Sequence, residues 1–292
     1  MKVLIAYTNG NSTGGSEVFH YELIRGLCNY KDLDITVATV TEPNLGFHLW
    51  KDINKLGIKI KPINYILSNE EQFDLMIISQ PYPNTLLCDY FPNTPKISII
   101  HSEIRSEDPI FHPSIIKYIG IRQPIVDMLI NEYKIESSKV SLIYNPIDQT
   151  RFNPFNAKKY DKITGIFVGE VLDNIRFKSV NHLVQQCIER DWDLYIMSES
   201  RHNFNHPNIK YLDKRWDTEN VVKNMDFTAG ILLGRTTLEG LCCDVSGYIY
   251  QIDKNGEILG IESNVSYNIK EICDSKYVCK QYYNLIKEYE GK

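Results

Sequence analysis

Short runs of consecutive apolar residues alternate along this chain with stretches whose apolar positions recur every three or four residues. "KVLIAYT" near the start reads as a strand, and residues 16–29 follow with Phe19, Leu23, Ile24, Leu27 and Cys28 on one helical face. The alternation continues through "DITVATV", a weaker helical pattern over "FHLWKDINKLG", then "IKIKPIN", "FDLMIIS", "KISIIHS" and "KYIGI". A helix over "PIVDMLINEYK" and a strand at "VSLIY" complete the series. Unbroken apolar strands separated by amphipathic helices predict a parallel sheet covered on both faces. "NPIDQTRFNPFNAKKYDK" then breaks the pattern, which sets a domain boundary near residue 155.

Beyond the boundary the alternation begins again. "ITGIFVGE" is a first strand, residues 179–190 a helix, "WDLYIMS" and "NIKYLD" strands, and "TENVVKNM" a helix. "FTAGILLG" leads to a helix opening near "TTLEGLCC", then to "SGYIYQID". Near the end, "KYVCKQYYNLIKEYE" carries Val278, Tyr282 and Ile286 at helical spacing. The expectation is an α/β protein of two Rossmann-like doubly wound domains, residues 1–155 and 156–292. Ligands of such folds bind at the carboxyl ends of the strands.

Composition narrows the chemistry. With 43% hydrophobic and 24% charged residues over 292 positions, the chain has the balance of a soluble globular protein. The net charge of -5 divides as 13 basic against 17 acidic residues through position 150 and 19 against 20 beyond it. Neither half has the basic balance of a dedicated nucleic-acid-binding domain. The seven cysteines include no CxxC pair, so they read as reduced thiols rather than a zinc site. The apolar run after Lys2 is shorter than a signal-peptide core, and no run approaches the roughly 18 residues that span a bilayer. These features predict a cytoplasmic protein. The sequon-like "NST" at Asn11 is then an accident of loop composition.

The glycine-rich turn "TNGNSTGGSEVFHYELIRGL" is the first candidate site. Gly10 and Gly15 give GxxxxG, but Ser16 stands where a triphosphate-binding loop needs lysine. The dinucleotide pattern GxGxxG fails as well, because Gly14 and Gly15 are adjacent. What remains is a glycine pair that lets backbone approach a ligand, with Ser16 and Glu17 at a helix start. Ordinary turn geometry with a serine cap explains the same residues.

Taken in order, "GGSEVFHYELIRGL", "VSLIYNPIDQTRF", "GIFVGEVLDNIRFKSVNHLV" and "GRTTLEGLCC" resemble the glycosyltransferases of the GT-B fold, in particular the retaining family 4 group. The resemblance implies two domains facing across a cleft, with the C-terminal helix crossing back to the first. It implies a UDP- or GDP-linked sugar donor on the second domain and an acceptor glycan or other hydroxyl compound on the first. Gly15 and Ser16 would lie beside the donor diphosphate or the acceptor. Arg176 and Lys178 would supply cations to the diphosphate, although Glu170 stands where the family has arginine. Gly234, Arg235, Thr236 and Thr237 would meet the diphosphate at a helix start, and Glu239 would bind the ribose hydroxyls. Thr236 and Glu239 also have capping-box spacing, which would turn the glutamate back onto its own helix. The family's earlier glutamate is replaced by Ile231. His101, ending "KISIIHS", would contact the donor sugar or its phosphates, and Glu103, Glu107 and Asp108 follow it in a loop that reads as exposed. No cofactor and no metal are expected, because basic residues and helix dipoles take the role of a divalent ion.

Three other readings share these features. A phage-type enzyme glycosylating DNA bases has the same fold, but the charge balance argues against DNA. A nucleotide-sugar epimerase would need carboxylates poised for proton transfer. A noncatalytic nucleotide-sugar-binding subunit would fit the loss of the first glutamate. The lysines and tyrosines of the C-terminal helix also suit peripheral contact with a membrane surface, with a faint charge signal.

Overall fold

The computed structural model describes residues 1–103, 109–171, 174–199, 204–253, 257–263 and 269–290. By internal contacts the chain forms two compact units, Met1–Pro146 with Ser275–Lys292, and Ile147–Asp274. Residues 147–155, assigned to the first domain from sequence, pack within the second unit. There the Ile147 N–H donates to the Cys273 carbonyl at 2.8 Å, and Arg151 pairs with Glu219 at 2.8 Å.

The first unit is a seven-stranded sheet made of β1 (Lys2–Tyr7), β2 (Asp34–Thr39), β3 (Lys59–Pro62), β4 (Leu75–Ser79), β5 (Lys96–Ile100), β6 (Ile115–Gly120) and β7 (Val140–Leu142). Its order is β3-β2-β1-β4-β5-β6-β7, parallel throughout. The crossovers are α1 (Gly15–Leu27), α2 (His48–Lys55), α3 (Ile63–Ser68), α4 (Pro81–Tyr90) and α5 (Gln123–Asn131). The chain order reverses between β1 and β4, and that switch point opens a crevice at their carboxyl ends. β4 and β5 are buried along their whole length, as sheet covered on both faces requires.

The second unit contains β8 (Thr164–Val168), α6 (Asn174–Glu189), β9 (Asp193–Met197), β10 (Ile209–Leu212), α7 (Glu219–Val222), β11 (Phe227–Ile231), α8 (Arg235–Cys242), β12 (Ser246–Ile252), β13 (Ile258–Ser263) and α9 (Ile269–Cys273). Strand order is β10-β9-β8-β11-β12-β13, parallel except for the β12–β13 pair. Its switch point lies between β8 and β11.

The last helix, α10 (Ser275–Lys287), packs on α1 and belongs to the first unit. Gly26 makes the approach possible, because a Cβ there would lie 2.2 Å from Cys279 Sγ. Tyr283 stacks on Tyr30 at 3.8 Å and donates to Asp32 at 2.9 Å, and Lys287 pairs with the same carboxylate. Tyr282 is fully buried beside Phe19. No helix among the described residues is long and apolar enough to cross a membrane.

Candidate functional site

In the first unit the turn from β1 to α1 is held by Asn11. Its Oδ1 accepts from Trp50 Nε1 and from the Asn44 N–H, both at 2.9 Å, and its Nδ2 donates to the Glu42 carbonyl at 2.7 Å. Trp50 is fully buried with its ring against Gly10, where a Cβ would sit 1.7 Å from the indole. Close packing therefore demands glycine at Gly10. At Gly15, by contrast, no atom lies within 4 Å of an added Cβ, so this residue faces open space. Gly14 caps α1 without a side-chain hydrogen bond, and Ser16 Oγ donates to Glu17 Oε2 at 3.1 Å. The Glu17 carboxylate folds back over Gly14 and is 7% exposed. A negative charge already occupies this helix N-terminus, which disfavours a second anion there.

Gln80 closes the switch point. It follows β4 with φ 71 and ψ 142, a backbone region that side chains rarely adopt and that recurs at ligand sites. Its Oε1 accepts the Thr8 N–H at 2.7 Å, and its Nε2 reaches Ser16 Oγ at 3.5 Å. Position at a strand's carboxyl end was the sequence signal that could have marked it.

His20 and His101 stand beneath this network with ring centroids 5.5 Å apart. His20 Nδ1 lies 2.6 Å from the Ser16 carbonyl and its Nε2 2.9 Å from Ser79 Oγ. A carbonyl only accepts, so the proton is on Nδ1 and Ser79 donates to Nε2. Burial lowers the His20 pKa to about 4. His101 packs edge-on to Phe19 at 4.9 Å, and its Nε2 is buried without a partner. Burial, then the charges of His20 and Arg122, hold its pKa well below the usual value. His101 is therefore neutral at pH 7 and would hydrogen-bond a ligand in that form. Glu103 is not a free exposed acid, since Arg122 grips it through both oxygens, with Nε to Oε1 at 2.7 Å. Glu107 and Asp108 lie outside the described residues.

This pair predicts an acid limb of stability. The folded pKa of His20 lies below its unfolded value of about 6.5, so the unfolded chain takes up the proton first. The contribution is complete above pH ~6.5 and fades as pH falls toward 4, with about 2 kcal/mol lost by pH ~5 at ~1.4 kcal/mol per unit. His101 acts in the same direction. Urea midpoints at both pH values would show the drop, and His20→Gln should flatten it; an unchanged slope would mean that other groups set it.

In the second unit, α8 begins at the switch point. Its N-cap, Gly234, makes no side-chain cap, and the Leu232 before it has φ 63. Three glycines bring α8 close to the sheet. A Cβ on Gly230 or Gly247 would strike Thr237 at 2.8 and 2.7 Å, and one on Gly240 would meet Thr228 at 2.6 Å. The Thr237 side chain is thus buried inward, and only its backbone N–H is placed for a ligand. Thr236 Oγ1 donates to the Val168 carbonyl at the end of β8, 3.4 Å away. The alternative capping box does not form, because the helix starts at Arg235 and puts Thr236 inside it. Glu239 instead forms an ion pair with Arg235, Nε to Oε1 at 2.7 Å and i,i+4 along the helix, in which the residues are 5% and 9% exposed. The first-turn N–H groups of α8 have no acceptor within their own helix, and the dipole adds positive potential there.

The other candidates are dispersed. Arg176 and Lys178 lie in the opening turns of α6, which starts at Asn174, earlier than the spacing predicted. Lys178 is ion-paired with Glu257. Glu170 accepts from Ser198 Oγ at 3.1 Å and from Lys214 Nζ at 3.4 Å. Lys214, two residues beyond β10, is a cation at the carboxyl end of the sheet that sequence reasoning missed. Ile231 packs against the apolar core of this unit.

No protein-family model matches the sequence, and no curated protein matches it. Similar solved structures include a glycosyltransferase from Rickettsia africae, 12% identical, with TM-score 0.69 over 100% of this chain and 99% of that one. Anabaena Alr3699/HepE, solved with UDP and glucose, is 10% identical with TM-score 0.72 over 99% and 100%. The UDP-GlcNAc 2-epimerase of Methanocaldococcus jannaschii, solved with UDP-GlcNAc and UDP, is 12% identical with TM-score 0.63 over 99% and 100%. Likeness across the whole chain, with two Rossmann-like sheets, gives this protein the GT-B fold.

Proposed function

We propose that the protein transfers a sugar from a nucleotide-diphosphate donor to an acceptor hydroxyl, with retention at the anomeric carbon and without a metal. The observation that carries this reading is the α8 N-terminus, brought over the β8–β11 switch point by three glycines and joined there by a buried carboxylate. Backbone N–H groups of Arg235, Thr236 and Thr237 are suited to a diphosphate, and Glu239, oriented by Arg235, to ribose hydroxyls. As the donor bond breaks, charge grows on the leaving phosphate, so fixed N–H donors stabilise the transition state more than the ground state. Arg176, Lys178 and Lys214 are the cations at hand, and Lys178 and Lys214 would exchange their ion pairs with Glu257 and with Glu170 and Glu199 for the phosphate.

The first unit receives the acceptor. Glu17 and Ser16 favour a hydroxyl donor over a phosphate, and neutral His101 offers a hydrogen bond without giving up a proton. Acceptors of this kind include a surface glycan or a lipid-linked saccharide. Gly15→Leu should leave thermal stability within about 0.5 kcal/mol, because the added side chain enters open space. It should lower transfer at least tenfold, and unchanged turnover would remove Gly15 from the acceptor site.

Turnover across a panel of UDP- and GDP-sugars tests the central claim. If no nucleotide sugar raises the melting temperature, the claim fails. The likeness to UDP-GlcNAc 2-epimerases favours epimerisation as a second reading. UDP-GlcNAc incubated without acceptor separates the two: an epimerase yields the C2 epimer, whereas a transferase yields at most slow hydrolysis.

A further inference from the structure

The amino-terminal end of the first unit's sheet, opposite the carboxyl-end crevice, carries a separate open pocket of about 370 Å³. It lies between the chain entering β6 and the turn that follows α5. Its walls include Phe111, Tyr118 and Tyr133, with Phe111 58% exposed and its ring 5.9 Å from that of Tyr133. Lys134 and Lys139 stand on the rim with exposed side chains, and His112 completes the lining.

The polarity of His112 is fixed from behind. Its Nδ1 accepts the Ser114 N–H at 3.2 Å and lies 2.7 Å from Ser114 Oγ. Ser114 Oγ accepts from Lys96 Nζ at 3.0 Å, so the serine proton is directed to the imidazole. Lys96 is fully buried and also donates to the Phe91 and Thr94 carbonyls, at 2.5 and 2.8 Å. With Nδ1 taken as an acceptor, His112 carries its proton on Nε2, the nitrogen turned away from Ser114. The carboxylate on the rim, Glu136, is engaged by the Ser138 hydroxyl at 2.6 Å. The pocket thus combines two ammonium groups and an oriented N–H donor with an aromatic wall.

We propose that this pocket is a second carbohydrate site, selective for an acidic sugar. The apolar face of the pyranose lies on Phe111 and Tyr133, and its carboxylate or phosphate meets Lys134, Lys139 and His112 Nε2–H. Aromatic surface with a few convergent polar groups is the usual make-up of a small-ligand site, and the volume falls in the common range. The site is independent of nucleotide-sugar chemistry, so failure of the transferase reading leaves it untouched.

Titration of the full-length protein with glucuronate, glucose 6-phosphate, glucose and inorganic phosphate, followed by calorimetry or amide chemical shifts, tests it. Both acidic sugars should bind at least tenfold more tightly than glucose or phosphate. Lys134→Gln with Lys139→Gln should weaken both acidic sugars at least tenfold, and Phe111→Ala should weaken them without changing phosphate binding. All three side chains are exposed, so the variants should fold. Glu239→Gln should leave these affinities unchanged. Absence of binding, equal binding of phosphate and sugar acids, or affinities insensitive to the pocket variants would each overturn the proposal.

Discussion

Glu239→Ala should lower stability by about 3 kcal/mol and abolish detectable donor binding. The loss of stability follows from the partner left behind: Arg235 is 9% exposed, and removing its carboxylate strands a guanidinium in a buried place. A capping glutamate would cost only about 1 kcal/mol, so the size of the effect distinguishes the buried pair from a cap. Glu239→Gln separates binding from folding, because it keeps a polar side chain of the same size beside Arg235 while removing the charge. For this variant the melting temperature should fall less, while affinity for a nucleotide sugar should fall roughly 10- to 100-fold, the range for hydrogen bonds to a charged group. Native affinity in Glu239→Gln would leave the glutamate a purely structural part of α8.

Gly10→Ala should be nearly as damaging, with a loss of about 3 kcal/mol from one methyl group. A Cβ at this position falls 1.7 Å from the Trp50 ring, and the ring cannot swing away without breaking its hydrogen bond to Asn11. Overpacking against a rigid aromatic lies at the upper end of such costs. Asn11 also ties down Asn44 and Glu42, so displacement of Trp50 should loosen the β1–α1 turn as a whole. The expected readout is a large drop in urea midpoint together with reduced acceptor affinity. A variant with native stability would show that α2 can shift to accommodate the methyl.

Apart from β13, the strands of both sheets are legible because each is a run of apolar residues with few interruptions, from "KVLIAYT" to "FTAGILLG". α4 was not: "PYPNTLLCDY" has two prolines and little apolar periodicity, and it contributes only four buried residues. Topology was the better signal, since parallel β4 and β5 require a crossover between them. β13 was missed because its residues are mostly exposed. At the site, Arg235 and Glu239 have the i,i+4 spacing of a helical ion pair, which competes with the capping-box spacing of Thr236; the helix start decides between them. The His20 network could not be read from one segment, because Ser79 is 59 residues away at the end of another strand.

The packing of α10 on α1 makes the first domain discontinuous. A ribosome releases residues 1–146 long before Cys279 and Tyr282 exist to cover Gly26 and Phe19. Residues 147–274, contiguous in the chain, can reach their native contacts earlier in synthesis. The first domain waits with an apolar face on α1 open, and it is this interval that exposes the nascent chain to aggregation and to chaperones.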